Sequence, residues 1–423
     1  MKESFNCILG FILSGCLGVI LLTQVSACNN NTSTQEPKPE DFVRIDGQNL
    51  IKPDGEKLFI VGTNLGNWLN PEGYMFDFGR TSSGRLINQM FCEMVGPDFT
   101  SEWWQKFKDN YVTLADFRFL KERGCNTIRI PFNYRLFTYE DFMGLNDPDE
   151  GFRRIDAAVE WARETGLYLI LDMHDAPGGQ TGDNIDDSYG YPWLFESERS
   201  QNMFISIWKR IAEHYADEPV ILGYELCNEP IAPYFENIDS LNASLQPLYI
   251  KVTKAIRAVD NNHIVLIGAP QWNTNFKPLT DWQFDDKIMF TCHRYGGEAN
   301  VEGIQDYIDF RNKTNLPMYM GEIGHNTWEW QTSYSRIMQE NNIGYTFWPY
   351  KKLTHECVNA FARPENWDKV VAFAEGDRSD FGKIREARPN QEEMRKAMLE
   401  LVENVKFENC TPNEEYIKSM MLK

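Results

Sequence analysis

The chain lacks the residue patterns of several common functional classes. Its 9 cysteines form no CxxC pair, which argues against a zinc site. It has no basic tail and no Gly-rich loop followed by lysine to bind phosphates. Positive charge is scarce, with 42 Lys and Arg against 62 Asp and Glu and a formal net charge of −20. Such a surface repels phosphates and uronates. Nucleic acid and acidic polysaccharides are therefore poor partners, whereas a neutral glycan meets no such penalty.

Apolar and aromatic residues are plentiful. Hydrophobic residues make up 42% of the 423 residues, enough for one large domain or two ordinary ones. Aromatic content reaches 13%, with 12 Trp and 18 Tyr. Aromatic faces stack on the apolar faces of sugar rings, so this excess suits a carbohydrate-binding surface. The alternative is that most of these residues fill a large core.

The N-terminal segment differs from the rest of the chain. Lys2 precedes an apolar run over residues 8–22, which is short for a membrane span and typical of a secretory signal. Small residues then lead into Cys28, and this pattern resembles the lipobox of bacterial lipoproteins. We therefore predict a signal peptide over 1–27, a polar tether over 28–42 and a folded domain over 43–423. Cys28 would carry a lipid that holds the exported protein at a bacterial membrane, namely the periplasmic or the surface face of the outer membrane. A non-cleaved anchor helix is the alternative.

Beyond residue 40, strand-like apolar runs alternate with segments of helical periodicity. Eight strands that alternate with helices predict an α/β fold, a single (β/α)8 TIM barrel. A doubly wound open sheet is the alternative. The predicted strands are Phe59–Leu65, Thr127–Phe132, Leu167–His174, Val220–Asn228, Ile264–Gly268, Ile288–His293, Met318–Ile323 and Gly344–Trp348.

Polar residues concentrate where these strands end, which is the functional face of such a barrel. Two of them are glutamates on different strands, Glu229 and Glu322. A pair of carboxyl groups is the minimal equipment for cleaving a glycosidic bond, because one protonates the leaving oxygen and the other attacks the anomeric carbon or activates water. The remaining strand-end residues are Arg129, His174, Asn228, His293, Tyr295 and Trp348.

Six short strings in this order resemble glycoside hydrolase family 5, a family of retaining β-glycosidases with a (β/α)8 fold. They are Asn126–Pro131, Leu171–His174, Asn228–Pro230, His293–Tyr295, Gly321–Glu322 and Phe347–Trp348. The resemblance implies a two-glutamate double displacement on a neutral β-glucan or β-glucoside, without a cofactor or a metal.

The opening motif Asn64–Leu69, followed by Glu72, resembles the exo-β-1,3-glucanase branch of that family. Asn67 and Asp175 replace usual glycines, and Pro349-Tyr350 replaces a Thr-Trp pair. An endo-acting β-1,4-glucanase or a mannanase on the same barrel remains an alternative. A non-catalytic carbohydrate-binding lipoprotein is a further one, although it would be expected to lack one of the two carboxylates.

Each candidate residue is assigned a role. Glu229 is the general acid/base, with Asn228 beside it to bind the sugar 2-hydroxyl. Glu322 is the nucleophile, which Arg129 and Tyr295 keep ionised by donating to it. The two carboxyl groups are expected about 5 Å apart.

The other candidates are expected to bind substrate. His174 and His293 would hydrogen-bond sugar hydroxyls or the catalytic carboxylates. Trp348 would stack under the sugar, and Trp68 and Glu72 would complete the substrate site. Glu225 points into the barrel wall by strand alternation and is not a catalyst.

The long segment over residues 175–198 and the segment over 68–80 are expected to wall off one end of the cleft, which favours exo action. The protein is expected to act as a monomer.

Overall fold

A computed structural model of the protein describes residues 37–183 and 186–423. Its centre is a closed barrel of eight strands, all paired in parallel, in the order β10-β11-β4-β5-β6-β7-β8-β9. Closure excludes the open doubly wound sheet and confirms the predicted (β/α)8 fold. The barrel strands are β4 (Val61–Asn64), β5 (Thr127–Asn133), β6 (Tyr168–Asp175), β7 (Ile221–Glu225), β8 (Ile264–Gly268), β9 (Ile288–Arg294), β10 (Met318–Gly324) and β11 (Gly344–Trp348).

All eight predicted strands are present. They are recognisable in the sequence because both faces of a barrel strand are covered, so that each strand is a continuous apolar run. The largest difference lies in β7. This strand ends at Glu225, so Asn228 and Glu229 lie in the loop that follows it.

Helices surround the barrel. Three of them end in left-handed residues at Gly124 (φ 106°), Gly166 (φ 65°) and Asn315 (φ 53°). The helices are α1 (Gly84–Val95), α2 (Pro97–Tyr111), α3 (Leu114–Arg123), α4 (Glu150–Thr165), α5 (Glu198–Tyr215), α6 (Ile238–Arg257), α7 (Pro270–Asn273), α8 (Gln305–Thr314), α9 (Trp328–Glu340), α10 (Trp367–Glu375), α11 (Phe381–Ala387), α12 (Gln391–Asn404) and α13 (Glu414–Ser419). Of these, α7 is a single turn whose last three residues have left-handed backbone.

Two small sheets complete the domain. The first consists of β1 (Arg44–Asp46), β2 (Asn49–Ile51) and β3 (Lys57–Leu58), and the second of β12 (Lys351–Lys352), β13 (Asn359–Ala360) and β14 (Thr411–Pro412). Apolar residues of the first sheet pack in one cluster with inward residues near the start of the barrel strands. The N-terminal end of the barrel is therefore filled, which leaves the opposite end for a site.

The signal peptide, Cys28 and most of the tether lie outside the described residues. Within 37–183 and 186–423, every helix is too short or too polar to cross a bilayer.

Candidate active site

Glu322 lies at the carboxyl end of β10, where the strand is irregular. The pairing of β10 with both neighbours shifts register at this point, between Met320 and the next paired residue on each side. This backbone path requires glycine at position 321, because a Cβ there would lie only 2.4 Å from the Thr291 hydroxyl oxygen. A local bulge of this kind re-aims the side chain that follows it, so Glu322 points into the barrel mouth.

Two donors hold the Glu322 carboxylate. Arg129 Nη1 donates to Oε1 at 2.8 Å, and the Tyr295 hydroxyl donates to Oε2 at 2.5 Å. Glu322 is only 4% exposed. Both predicted partners are thus in place, and together they orient the carboxylate and stabilise its charge.

Glu229 lies opposite, on the loop after β7. Its backbone has φ 43°, a conformation that is uncommon for a residue other than glycine. Such conformations concentrate at functional sites. His293 Nδ1 lies 2.8 Å from Glu229 Oε1. Burial raises the pKa of Glu229 to about 7, against the opposing effect of cationic His174 and Arg129. The group can therefore hold a proton near neutral pH, as a general acid must.

The separation of the two carboxyl groups distinguishes the two classes of glycosidase. An oxygen of Glu229, one of Glu322 and a ring nitrogen of His293 all lie within 4.8 Å of one another. Retaining enzymes place the carboxyl groups about 5–5.5 Å apart, whereas inverting enzymes leave about 6.5–9.5 Å for a water molecule. The observed spacing matches the retaining class. A metal ion held by these three groups would occupy both carboxylates and leave neither for the two-glutamate chemistry.

His174 and His293 differ in charge. Burial opposes protonation of His174, but its hydrogen bonds to Asp172 and Glu72, together with the charges of Asp172 and Glu322, outweigh burial and hold its pKa well above the usual value. Burial lowers the pKa of His293 to about 4, despite the nearby charge of Glu322. Near neutral pH, His174 is therefore cationic and His293 is neutral.

Arg129 is the centre of a buried ion cluster. The fully buried guanidinium contacts Asp172 at 3.0 Å, Glu225 at 2.8 Å and Glu322 at 2.8 Å. Asn228 accepts from it at 2.9 Å, so this side chain orients the loop beside Glu229. Glu225 lies in the wall as predicted and serves to bind Arg129.

Trp348 and Glu72 lie together on the His174 side of the site. The Trp348 ring stacks on His174 with centroids 5.1 Å apart and planes within 4°. Its indole N–H donates to the Tyr74 hydroxyl. Glu72 Oε1 lies 3.5 Å from His174 Nε2, and burial raises the pKa of Glu72. Stacking of Trp348 on a sugar stays a prediction.

The prediction for Trp68 was wrong. This side chain is 1% exposed, and its indole N–H donates to the backbone carbonyl of Lys108 at 2.9 Å. Its ring packs against the ring of Trp161 in α4, with the two ring centroids 6.3 Å apart. Trp68 therefore belongs to the barrel–helix core, because the motif that carries it turns the ring outward from the barrel mouth.

A cavity of about 400 Å³ opens on the Glu229 side. Several of the residues that complete the site were not identified from the sequence. Asp172 precedes His174 in a string that resembles the family, and that string could have signalled it. Trp272 follows the end of β8, a position that could have signalled it. The missed residues are Asn64, Tyr74, Asp172, Asp183, Trp272 and Asn273.

Known proteins resemble the chain in sequence and in fold. Residues 90–353 match the sequence profile of "Cellulase (glycosyl hydrolase family 5)". Beta-xylosidase of Phanerodontia chrysosporium is 31% identical over 57% of this chain and 48% of its own length, so the chain spans less than half of that relative. Endoglucanase C of Acetivibrio thermocellus is 26% identical over 63% of this chain and 92% of its own length.

Two further proteins are similar to the chain, one in sequence and one in fold. Glucan 1,3-beta-glucosidase of Candida oleophila is 30% identical over 67% of this chain and 66% of its own length. The rutinosidase structure from Aspergillus niger covers 70% of this chain and 90% of its own, with a TM-score of 0.56 and 20% identity; this likeness concerns the fold alone. With the profile match across more than half of its length, the chain belongs to glycoside hydrolase family 5.

Proposed function

We propose that the protein hydrolyses a neutral β-glucan or β-glucoside with retention of configuration. The observation that carries this proposal is the spacing of Glu229 and Glu322, whose oxygens lie within 4.8 Å. In the first step, Glu322 attacks the anomeric carbon while Glu229 gives its proton to the leaving oxygen. In the second step, Glu229 takes a proton from water as the water displaces Glu322.

The charge of the chain and the names of its relatives support a neutral substrate. A formal net charge of −20 disfavours polyuronates. Two relatives carry the names endoglucanase and glucan 1,3-beta-glucosidase, which supports a β-linked glucan as the substrate class.

Exo action is supported by contacts that join the two predicted wall segments. Asp187, in the loop after β6, accepts from the backbone N–H of Arg85 at 2.9 Å and from Asn133 at 3.2 Å. Asn133 also donates to Asn70, at 3.3 Å. Asn133 of β5 thus bridges the two predicted wall segments, 68–80 and 175–198. We infer that these bonds close the cleft beyond His174 and Glu72, so that a chain end would fit more easily than an internal segment.

A product assay tests the substrate and the mode of attack together. With β-1,3-glucan, β-1,4-glucan, mannan and alginate supplied separately, we expect glucose or short oligosaccharides from a β-glucan, slow loss of viscosity and no action on alginate. A rapid fall in viscosity with long oligosaccharides would favour the endo-acting alternative, which the 92% coverage of Endoglucanase C supports.

The pH dependence follows from Glu229. Its pKa is raised to about 7, and only the protonated form can act as general acid. We therefore expect kcat/KM for a poor leaving group to fall as pH rises through about 7. The decline should be weaker for a 2,4-dinitrophenyl glycoside, which needs little acid assistance. A decline centred near the ordinary glutamate pKa on both substrates would contradict the assignment.

We further propose that Cys28 carries a lipid anchor, on the strength of the lipobox-like residues before it. In the native bacterium, Cys28→Ser should release the protein from the membrane fraction with unchanged specific activity, because a polar tether separates the anchor from the barrel. Continued membrane association of the variant would favour the non-cleaved helix instead.

A further inference from the structure

His293 faces both catalytic carboxyl groups. Its Nδ1 lies 2.8 Å from Glu229 Oε1 and 3.5 Å from Glu322 Oε2. Because burial keeps this imidazole neutral, it carries a single proton, on Nδ1 or on Nε2. The choice of tautomer decides whether Glu229 meets an N–H donor or a lone pair.

Asn273 lies on the other side of the ring. Its Nδ2 is 3.1 Å from His293 Nε2, and the side chain is fully buried. In this orientation of the amide, its N–H donates to Nε2 and the imidazole proton lies on Nδ1, while Asn273 Oδ1 has no hydrogen-bond partner among the described residues. The reversed amide would place the Nδ1 lone pair against the Glu322 carboxylate, which is electrostatically unfavourable. The charges around His293 thus favour the same amide orientation as the contact.

The backbone holds Asn273 in this position by an unusual turn. Three successive non-glycine residues after β8 adopt left-handed conformations: Gln271 (φ 55°), Trp272 (φ 59°) and Asn273 (φ 60°). Such residues are rarely left-handed singly, and strain of this kind concentrates at functional sites. Gly268 gives the amide room, since a Cβ there would lie 2.1 Å from Asn273 Oδ1.

The same turn is tied to the loop that carries Glu229. The Gln271 N–H donates to the carbonyl of Ile231 at 2.9 Å, two residues after the acid/base. The Asn275 amide closes the turn by donating to the Gln271 side chain at 2.8 Å. Movement of the turn would therefore change both the Asn273–His293 contact and the Glu229 backbone.

We propose that Asn273 is a positioning residue that fixes His293 as the Nδ1–H tautomer, so that His293 binds Oε1 of Glu229 and the catalytic proton resides on Oε2. The inference rests on the acid/base role of Glu229 in the proposed function. In the first step, the Oε2 proton moves to the glycosidic oxygen as the C–O bond breaks. In the second step, Oε2 takes a proton from the attacking water as the bond to Glu322 breaks, and the His293 proton stays on Nδ1 throughout.

Other charged or titratable groups bear on His293 and Glu229, and each would contribute to the pH profile. They are Arg129 on β5, Asp172 and His174 on β6, Glu225 on β7, Glu322 on β10, and Asp183 in the loop after β6.

Nitrogen NMR of the full chain labelled with ¹⁵N-histidine reads the tautomer directly. Only 6 histidines are present, and the His293 signals are assigned by their loss in His293→Gln. We expect the wild type to carry the proton on Nδ1 with Nε2 unprotonated. Asn273→Asp replaces the amide donor by an acceptor and should place a proton on Nε2. A wild-type His293 with its proton on Nε2, or an Asp variant that leaves Nε2 unprotonated, would overturn the proposal.

Kinetics provide the second readout. For an alkyl β-glucoside, Asn273→Asp and Asn273→Leu should lower kcat by about 10- to 100-fold with KM within about two-fold, and the pH profile should shift. For a 2,4-dinitrophenyl glucoside, the loss should be less than about three-fold. Equal losses on both substrates would indicate a merely structural role and contradict the proposal.

Asn261→Asp is the matched control, since it makes the same chemical change at an exposed position just before β8, at the opposite end of the barrel from the site. It should keep the wild-type tautomer and the wild-type dependence on leaving group. If the wild type cleaves no β-glycoside, the proposed function fails, while the NMR experiment still decides the tautomer.

Discussion

Glu322→Gln should reduce turnover by about 10⁴-fold or more while the fold and glycan affinity are retained. The amide keeps the shape of the side chain but cannot form the glycosyl ester, and it loses the charge that Arg129 and Tyr295 bind at 2.8 Å and 2.5 Å. Turnover of an alkyl β-glucoside and thermal unfolding of both proteins would measure the two effects. The proposed nucleophile is the only group whose removal eliminates the covalent intermediate.

Glu329→Gln is the matched control. Glu329 is exposed in the first turn of α9, seven residues after Glu322, so the same substitution there should leave the rate unchanged. Near wild-type activity of Glu322→Gln on an ordinary glycoside would refute the nucleophile assignment. Trapping with a 2-fluoro glycoside, followed by peptide mass analysis, should place the label on Glu322.

Glu229→Ala should have an effect that depends on the leaving group. Without the general acid, hydrolysis of an alkyl glycoside is expected to fall by about 10²- to 10⁴-fold. The first step of a 2,4-dinitrophenyl glycoside should be nearly unaffected, because that leaving group departs without a proton. Deglycosylation should then limit the rate, and added azide should restore it by replacing the water that Glu229 activates.

The comparison for this variant is Glu236→Ala, an exposed position in the same loop that should show the wild-type response to both substrates. Equal losses on the two glycosides, with no recovery in azide, would mean that Glu229 is needed for the structure of the site and not for proton transfer.

The order of the barrel strands and the placement of Glu229 and Glu322 at one end of the barrel could be predicted from the sequence. Buried parallel strands are continuous apolar runs, so the eight segments stand out between amphipathic helices. Parallel strands bring their carboxyl ends to one edge. Any polar residue at a strand end, such as His174 or Glu322, therefore belongs to the same face without further information.

The sequence could not decide which direction an individual side chain takes where the regular alternation stops. Trp68 lies in a turn, and only packing against Trp161 shows that its ring is in the core. Glu229 lies beyond the end of β7 with a left-handed backbone, a conformation for which a glutamate gives no local signal. Asn273 reaches His293 through three such residues in succession.

The charge states were likewise decided by the tertiary structure. His174 and His293 both follow barrel strands, yet Asp172 makes one cationic while burial keeps the other neutral. The proton affinity of Glu229 depends on how completely water is removed from it and on the cations that face it from other strands. Short-range sequence patterns determine which segments form strands and helices; desolvation and electrostatic contacts between residues about a hundred positions apart, such as Arg129 and Glu225, determine what the assembled groups can do.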